Sequence, residues 1–381
     1  MRKELVFVLL ALFLCAGCNG NKKKMNGEHD LDAANITLDD HTISFYYNWY
    51  GNPSVDGEMK HWMHPIAPAP GHSGDVGAIS GLNDDIACNF YPELGTYSSN
   101  DPEIIRKHIR MHIKANVGVL SVTWWGESDY GNQSVSLLLD EAAKVGAKVC
   151  FHIEPFNGRS PQTVRENIQY IVDTYGDHPA FYRTHGKPLF FIYDSYLIKP
   201  AEWAKLFAAG GEISVRNTKY DGLFIGLTLK ESELPDIETA CMDGFYTYFA
   251  ATGFTNASTP ANWKSMQQWA KAHNKLFIPS VGPGYIDTRI RPWNGSTRDR
   301  ENGKYYDDMY KAAIESGASY ISITSFNEWH EGTQIEPAVS KKCDAFEYLD
   351  YKPLADDYYL IRTAYWVDEF RKARSASEDV Q

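Results

Sequence analysis

Short apolar or β-branched runs alternate with amphipathic segments of helical period eight times along this chain. The apolar runs fall at residues 43–50, 117–125, 147–154, 188–194, 222–229, 243–249, 275–281 and 320–326. The segments of helical period fall at residues 101–115, 134–145, 161–175, 200–209, 232–241, 260–273, 302–316 and 356–374. This alternation predicts an α/β fold, a (β/α)8 TIM barrel, in a single domain over residues 41–375 with a short tail at 376–381.

The ends of the predicted strands separate this barrel from an open doubly wound sheet, which alternates in the same way. The sequence contains no GxGxxG, GxxxxGKS or GxxxxGKT turn, the phosphate-binding turns of such open sheets. Polar and aromatic residues follow the runs instead, as in Tyr47-Asn48-Trp49-Tyr50, Thr123-Trp124-Trp125, His152-Ile153-Glu154 and Tyr246-Thr247-Tyr248. In a barrel the carboxyl ends of the strands share one face, so these side chains are expected to line a single bowl.

The connection after the first strand, residues 51–100, is long for a compact domain and is expected to be a lid or a binding loop. His61, His64, His72 and Asp75 lie within it, which raises the alternative of a metal site. Their spacing matches no standard zinc pattern, so hydrogen bonding to substrate or within the loop is the favoured interpretation. We therefore predict no metal and no cofactor.

Two carboxylates, Glu328 and Glu331, follow the last predicted strand. One helical turn there would place both on one face, with Cβ atoms on the order of 5 to 6 Å apart. Repulsion and partial burial would then raise one pKa, so that one acid stays protonated near neutral pH. The alternative is an exposed acidic loop, which the flanking Trp329 and His330 argue against.

Glu154 ends a strand so apolar that its carboxylate needs a polar cavity or a partner, which favours a role in the site over a structural ion pair. Glu336 is interpreted as structural. Glycosidic cleavage needs a proton donor and a second group that acts at the sugar carbon, and two close carboxylates suit that chemistry.

The first eighteen residues are typical of a processing signal, with a basic start and an apolar run at residues 5–14. The segment Leu14-Cys15-Ala16-Gly17-Cys18 resembles the lipobox of bacterial lipoproteins, although Cys15 departs from its usual Leu. Cys18 is therefore the predicted lipidation site, and cleavage after Ala16 as an ordinary secreted protein is the alternative. Residues 19–40 are polar and are predicted to be a flexible tether. We expect a lipid-anchored protein of the cell envelope of a Gram-negative bacterium.

Four motifs together resemble glycoside hydrolase family 99. They are YYNWYGNP at residues 46–53, TWWG at 123–126, HIEP at 152–155 and FNEWHEG at 326–332. The resemblance covers residues 43–374 and implies internal cleavage of α-1,2-linked mannosides, with release of a disaccharide and retention of configuration. It also implies that Glu328 acts as a base on the 2-hydroxyl of the sugar through a 1,2-anhydro intermediate, with Glu331 as general acid and base. The residues alone leave open whether Glu328 is a nucleophile.

The resemblance further implies a set of substrate-binding residues. Trp124 is the first choice for the residue that favours mannose over glucose in the distal subsite, and Trp125 is the second, because strand parity is not known. The remaining predicted substrate-binding residues are Glu154, Tyr46, Tyr193, Tyr248, Asn327 and His152.

The implied partner is α-mannan or a high-mannose N-glycan. The formal net charge of −12 argues against nucleic acid. We expect a monomer that contacts the membrane only through its lipid. Three other functions remain: a glycan-capturing lipoprotein without activity, a metal-dependent hydrolase, and a barrel glycosidase of another linkage.

Overall fold

The computed structural model describes residues 37–74 and 76–378. The predicted signal peptide, Cys18 and residues 19–36 of the predicted tether lie outside these residues, as do Asp75 and residues 379–381 of the tail. Within the described ranges, none of the helices has the length and apolar character needed to cross a membrane.

Parallel strands form a closed ring in the order in which they occur along the chain. The strands are β1 (Asp39–Tyr46), β2 (Val117–Trp124), β3 (Lys148–Ile153), β4 (Lys187–Ile192), β5 (Leu223–Leu227), β6 (Gly244–Tyr246), β7 (Leu276–Ile278), β8 (Ser280–Val281) and β9 (Ile321–Ile323). β7 and β8 together fill the seventh position, since Pro279 interrupts the strand between them. Thr42 of β1 is in register with Ile321 of β9, which closes the ring. The predicted (β/α)8 barrel is confirmed.

Eight longer helices surround the ring in the described part of the chain. They are α1 (Pro102–Lys114), α2 (Asn132–Val145), α3 (Pro161–Tyr175), α4 (Pro200–Phe207), α5 (Leu234–Thr239), α6 (Trp263–Ala272), α7 (Lys304–Ser316) and α8 (Tyr358–Glu378). The capping residues set where they begin: the Asp101 side chain accepts from the Glu103 N–H at 2.8 Å ahead of Pro102. Ser160 and Thr163 form a reciprocal capping box at the start of α3.

Residue alternation along the strands divides the core into an inner and an outer layer. The Phe45 ring of β1 lies inside the barrel, 4.6 Å from the His152 ring of β3 and 5.2 Å from the Phe191 ring of β4, measured between centroids. The neighbouring Tyr46 points outward, where its hydroxyl lies 2.9 Å from Nδ1 of His108 on α1. Side chains at alternate strand positions therefore face either the barrel axis or the helices.

β1 begins two residues inside the predicted tether. The Asp39 carboxylate is buried and lies 2.7 Å from an Nη2 atom of Arg374 on α8. Its Oδ2 atom also accepts from the hydroxyl of Thr42 at 2.7 Å. These partners hold an acidic residue in the first strand, where its polarity alone had indicated a linker.

Candidate active site

Strand alternation brings five side chains to the mouth of the barrel. Each lies two positions beyond an inward residue: Tyr47 after Phe45, Trp125 after Thr123, Glu154 after His152, Tyr193 after Phe191 and Tyr248 after Tyr246. The inward residues are buried in the barrel, and the five side chains at its mouth form the next layer toward solvent. This layer is the wall of the candidate site.

Glu154 is held in this layer by the residues beneath it. The hydroxyl of Thr123 donates to Oε1 of Glu154 at 2.6 Å, and Nδ1 of His152 lies 2.9 Å from the same oxygen. The other ring nitrogen of His152 lies 2.7 Å from the hydroxyl of Tyr246. A buried carboxylate with these partners is oriented before any substrate arrives.

Glu328 lies just beyond β9, in a turn whose backbone is tied to its own side chains. The N–H of Glu328 donates to the hydroxyl of Ser325 at 2.7 Å, and the N–H of His330 donates to Oε1 of Glu328 at 3.0 Å. Its side chain is about 5% exposed. Burial and the charge of Glu331 together raise the pKa of Glu328 well above its ordinary value.

Glu331 is more open, with 23% of its side chain exposed, and Nη1 of Arg291 lies 3.8 Å from its Oε1. Burial raises the pKa of Glu331 to about 7, opposed by the Arg291 cation and assisted by the charges of Asp287 and Glu154. Arg291 is shared, because its Nη1 also lies 2.8 Å from Oδ2 of Asp287. The sequence prediction that one of these acids keeps a proton near neutral pH therefore has a structural basis.

The tyrosines of the mouth are neutral hydrogen-bonding groups. Burial, assisted by the charges of Glu154 and Glu328, raises the pKa of Tyr47 well above its ordinary value. Burial and the charge of Glu331 do the same for Tyr193. The hydroxyls of Tyr47 and Tyr248 are hydrogen-bonded to each other. These side chains add neutral hydroxyl groups around the carboxylates, beside the Arg291 cation, whose Nη1 lies 3.8 Å from Oε1 of Glu331.

A second layer of contacts holds the loop that carries both acids. Gly332 has a φ of +60°, and a Cβ there would lie 2.6 Å from Cγ2 and 2.7 Å from the carbonyl oxygen of Ile286. The N–H of Ile286 donates to the carbonyl of Glu331 at 2.8 Å. Arg300 donates from Nη2 to the carbonyls of Gly332 and Gln334 at 2.9 and 2.8 Å. Only glycine allows the close approach that brings Glu331 beside Ile286.

Glu336 anchors the opposite side of the same loop. Its Oε2 accepts from Nε1 of Trp329 and from the hydroxyl of Tyr97, each at 2.9 Å. Its Oε1 lies 3.2 Å from Nε2 of His108. The structural role expected for Glu336 agrees with these contacts, which tie the loop to α1.

Two of the predicted substrate residues face the helices instead of the mouth. Trp124 is 1% exposed, and its Nε1 donates to Oδ1 of Asn167 on α3 at 2.7 Å. Tyr46 is also 1% exposed and is hydrogen-bonded to His108 on α1. Both predictions are wrong, because odd and even positions of a strand point to opposite faces. Trp125 and Tyr47 occupy the mouth in their place.

Two further predicted substrate residues are buried and contact other residues of the site. Oδ1 of Asn327 accepts from the N–H of Tyr47 at 2.7 Å, and its Nδ2 donates to the carbonyl of Tyr47 at 2.9 Å. His152 lies below Glu154, with its Nε2 hydrogen-bonded to the hydroxyl of Tyr246 and its Nδ1 2.9 Å from Oε1 of Glu154. Asn327 therefore positions Tyr47 and His152 positions Glu154, which corrects the expectation that they contact substrate. Glu154, Tyr193 and Tyr248 lie at the barrel mouth, and their contact with a sugar stays a prediction.

Two cavities open at the mouth. The first has a volume of about 600 Å³ and is lined by Trp125 and by residues that include Trp49, His61, His64 and Tyr130. The second has a volume of about 500 Å³ and is lined by Glu331 together with residues that include Tyr193, Asp194, Arg291 and Trp293. Both Trp49 and Trp125 line the first cavity, and their Nε1 atoms are buried with no acceptor in hydrogen-bond geometry in the described part of the chain.

His61 and His64 of the long loop contact aromatic rings. The His61 ring lies parallel to the Trp49 indole at a centroid distance of 4.5 Å, and the His64 ring lies 5.0 Å from that of His330. Burial lowers the pKa of His330 to about 3, so it is neutral. Over residues 37–74 and 76–378, no three or more His, Cys, Asp or Glu side chains group together as ligands for a metal ion. Asp75, the fourth residue of the proposed metal cluster, lies outside these ranges.

Arg291 and Asp287 were not predicted as site residues, and Tyr47 was expected only as one of the strand-end residues that line the bowl. Strand parity would have identified Tyr47, since it lies two positions after Phe45 on the inward face. Arg291 and Asp287 lie in the loop after β8, where no periodicity marks them. Their approach to Glu331 depends on how two distant loops fold together.

Cleavage of a glycosidic bond requires one carboxyl group that holds its proton near neutral pH and a second one that acts as a base or nucleophile. Glu331, whose pKa is raised to about 7, and the buried Glu328 lie in one loop at the carboxyl end of a β/α barrel, and this fold and pair of carboxyl groups are those of a glycoside hydrolase. Comparison with known proteins narrows this class. The sequence profile of glycosyl hydrolase family 99 matches residues 37–372, and the chain belongs to that family. The resemblance inferred from the four motifs is confirmed.

Individual relatives agree with this assignment. The glycoprotein endo-alpha-1,2-mannosidase of Mus musculus is 48% identical over 347 residues, which cover 87% of this chain and 75% of the mouse protein. The glycoprotein endo-alpha-1,2-mannosidase-like protein of Homo sapiens is 47% identical over 346 residues, with 87% and 76% of the two chains covered. The solved GH99 endo-alpha-mannosidase from Bacteroides thetaiotaomicron is similar with a TM-score of 0.88 and 99% identity, covering 89% of this chain and 99% of that one.

Proposed function

We propose that this glycosidase is a retaining endo-α-mannosidase that cleaves internal α-1,2-mannosidic bonds of mannan or high-mannose glycans and releases a disaccharide. The observation that carries the proposal is the presence of one cavity lined by Trp125 and another lined by Glu331 at the same barrel mouth. An enzyme that cuts inside a chain has to hold sugars on both sides of the cleaved bond. The names of the mouse relative and of the Bacteroides structure support the linkage and the endo action.

Glu331 is assigned as the general acid. Its pKa, raised to about 7 by burial, keeps a proton available near neutral pH, and its partial exposure gives the leaving oxygen access to that proton. In the second step the resulting carboxylate accepts a proton from the attacking water. A group that serves as acid and then as base works best with a pKa near the working pH.

Glu328 is assigned as the base that acts on the 2-hydroxyl of the sugar. Burial and the charge of Glu331 raise the pKa of Glu328, so Glu328 acts as a base in the form in which Glu331 holds the proton and this repulsion is absent. Burial still makes the ionised Glu328 a stronger base than a carboxylate in water. The 2-oxygen then forms a bond to the anomeric carbon, the glycosidic C–O bond breaks, and Glu331 gives its proton to the leaving oxygen. Water opens the 1,2-anhydro sugar, Glu331 takes the proton of the water, and Glu328 returns its proton to the 2-oxygen.

Trp125 is assigned to the distal sugar on the non-reducing side. It lines the first cavity with Trp49, and their ring centroids are 6.4 Å apart. An indole wall tolerates different sugars, so the preference for mannose over glucose is expected to be modest. A substrate with mannose at the distal position should be cleaved faster than its glucosylated counterpart, and equal or faster cleavage of the glucosylated one would contradict this assignment.

Product analysis on yeast mannan tests class, linkage and endo action together. Wild-type enzyme should release a disaccharide whose reducing mannose was α-1,2-linked, and the product should first appear with retained configuration by NMR. Release of single sugars, or of products with another linkage, would contradict the proposal. Binding of mannan without any cleavage would favour a glycan-capturing protein instead.

A substrate with a 2-deoxy or 2-O-methyl group at the sugar that is cleaved tests the role of Glu328. Without a free 2-hydroxyl the 1,2-anhydro sugar cannot form, and turnover should fall to the level of the Glu328→Gln variant. Normal turnover of the modified substrate would return Glu328 to the role of a nucleophile. The unmodified substrate serves as the matched control in the same assay.

The anchor and the location stay predictions, since Cys18 lies outside the described residues. We infer lipidation of Cys18 from its sequence context, with attachment to the cell envelope of a Gram-negative bacterium, and we expect a monomer. Labelling of cells with a fatty acid analogue should mark the wild-type protein and leave Cys18→Ser unmarked. Label on the Cys18→Ser variant would exclude this anchor.

A further inference from the structure

Two aromatic side chains stand exposed at the rim of the second cavity. Phe254 is 52% exposed and Trp293 is 43% exposed, and both line the space that also contains Glu331. Exposed apolar residues that share one concave, polar-rimmed surface mark a binding site, unlike exposed apolar residues scattered singly. The catalytic steps derived above use neither of them.

The position of the acid determines which part of the substrate fills this cavity. A general acid has to reach the oxygen that leaves, so the sugar that departs lies on the same side as Glu331. Glu331 lines the second cavity, whereas the first cavity is lined by Trp125 on the other side of the mouth. The second cavity therefore receives the leaving group.

Both aromatic residues are held in place despite their exposure. The Phe254 ring lies 5.0 Å from that of Phe249, and the N–H of Phe254 donates to the carbonyl of Ala251 at 2.9 Å. The Nε1 atom of Trp293 donates to the carbonyl of Ala67 at 3.0 Å, which ties the loop after β8 to the long loop after β1. A side chain fixed in this way loses little conformational entropy when a ligand packs against it.

Polar groups complete the cavity between these aromatic residues. Asp194 and Tyr196 line it, with the Tyr196 hydroxyl donating to Oδ1 of Asp194 at 2.9 Å. The remaining oxygen of Asp194 has capacity to accept from a sugar hydroxyl. A wall that combines aromatic faces with a carboxylate suits a saccharide, which has apolar faces and hydroxyl edges.

We propose that Phe254 and Trp293 form a stacking platform for the mannosyl residues of the leaving group that lie beyond the residue next to the cleaved bond. This inference rests on the proposed endo-mannosidase function and names the residues that would make the enzyme prefer a polymer. The platform binds the part of the chain that departs, so its contribution depends on the length of the leaving group.

Two substrates that differ only in the leaving group test the platform. One is yeast mannan, and the other is the α-fluoride of the released disaccharide, whose leaving group contains no sugar. Phe254→Ala and Trp293→Ala should each lower kcat/KM on mannan by about tenfold. Both variants should retain wild-type kcat/KM on the fluoride, because the acid and the first cavity are intact.

Tyr365→Ala is the matched control, since Tyr365 is 46% exposed on α8 and does not line either cavity. It should leave both activities unchanged. Unchanged activity of the two platform variants on mannan would overturn the platform, as would an equal loss on both substrates. If the proposed function itself is wrong, the wild-type enzyme will cleave neither substrate, which distinguishes that outcome from failure of the platform.

Discussion

Nε2 of His108 on α1 lies 3.2 Å from Oε1 of Glu336, and both side chains are fully buried. The contact joins the helix after β1 to the loop that carries the two acids. Glu336 also accepts from Nε1 of Trp329, and Trp329 directly follows Glu328 in the sequence. The geometry of the catalytic loop thus depends on a buried polar pair that never meets the substrate.

Replacement of Glu336 by Gln should lower both stability and turnover. The carboxylate accepts from Trp329, Tyr97 and His108, and an amide leaves at least one of these buried donors without an acceptor. We expect a loss of about 1–3 kcal/mol in the free energy of unfolding, and a fall in kcat that exceeds any change in KM. Urea unfolding and steady-state kinetics measure both quantities. Glu347→Gln, which alters an exposed pair with Lys342, should change neither.

Trp124 and Trp125 should give opposite phenotypes when each is replaced by Ala. Trp124 is packed against α3, so Trp124→Ala should cost about 3–5 kcal/mol of stability through the cavity it leaves. Trp125→Ala should unfold like the wild type but lower kcat/KM by about tenfold on mannan, since it removes a wall of the first cavity. A stable Trp124→Ala enzyme with weak substrate binding would contradict the assignment of the two faces.

The pH dependence of activity should respond to Arg291. The Arg291 cation favours the ionised form of Glu331, whose pKa is about 7, and its loss therefore raises that pKa further. The alkaline limb of kcat/KM should move to higher pH in Arg291→Gln, because the acid keeps its proton longer. Asp287→Asn removes a negative charge and should move the limb the other way. Arg371→Gln, on α8, should leave the profile of the wild type, and an unchanged profile in Arg291→Gln would contradict the role of Glu331.

Gly332 and Gly158 form a matched pair for testing the close approach at the catalytic loop. Both have positive φ values, +60° and +77°, but a Cβ at Gly332 would meet Ile286 at 2.6 Å whereas a Cβ at Gly158 meets nothing within 4 Å. Gly158→Ala should cost about 1 kcal/mol from backbone strain alone and keep full turnover. Gly332→Ala should cost more and lower kcat, because the loop that carries Glu331 has to shift. Equal effects on stability and turnover would show that the contact with Ile286 does not position the loop.

Chelation should leave the activity unchanged. The long loop brings the His61 ring parallel to that of His330 and the His64 ring edge-on to it, and the described residues provide no cluster of metal ligands. Activity measured before and after incubation with EDTA and dialysis checks this expectation. Loss of activity that returns on addition of Zn²⁺ would revive the metal-dependent alternative.

Local patterns predicted much of this structure. The eight apolar runs became the ring of strands, and Asp101-Pro102 and Ser160-Pro161 began helices where capping chemistry places them. The two acids after the last strand were identified from position alone. Each of these features depends on residues within about one turn or one strand of each other.

The sequence left open which face of its strand each aromatic residue occupies. Tyr46 and Tyr47, like Trp124 and Trp125, are adjacent residues of the same type, and both members of each pair follow a strand pattern. A shift of one position exchanges the barrel mouth for the helix layer, and only the packing of Phe45 and Phe191 inside the ring sets the register.

The sequence by itself thus determined the barrel, the two acids and the family, because periodicity and contiguous motifs are properties of neighbouring residues. The tertiary structure alone decided that Trp125 rather than Trp124 lines the site, and that Arg291 and Asp287 lie close enough to Glu331 to shift its pKa. It also decided that Glu336 supports the loop through His108, more than two hundred positions away in the chain. Charge interactions and packing depend on distance in space, which the order of residues does not specify until the chain has closed into a barrel.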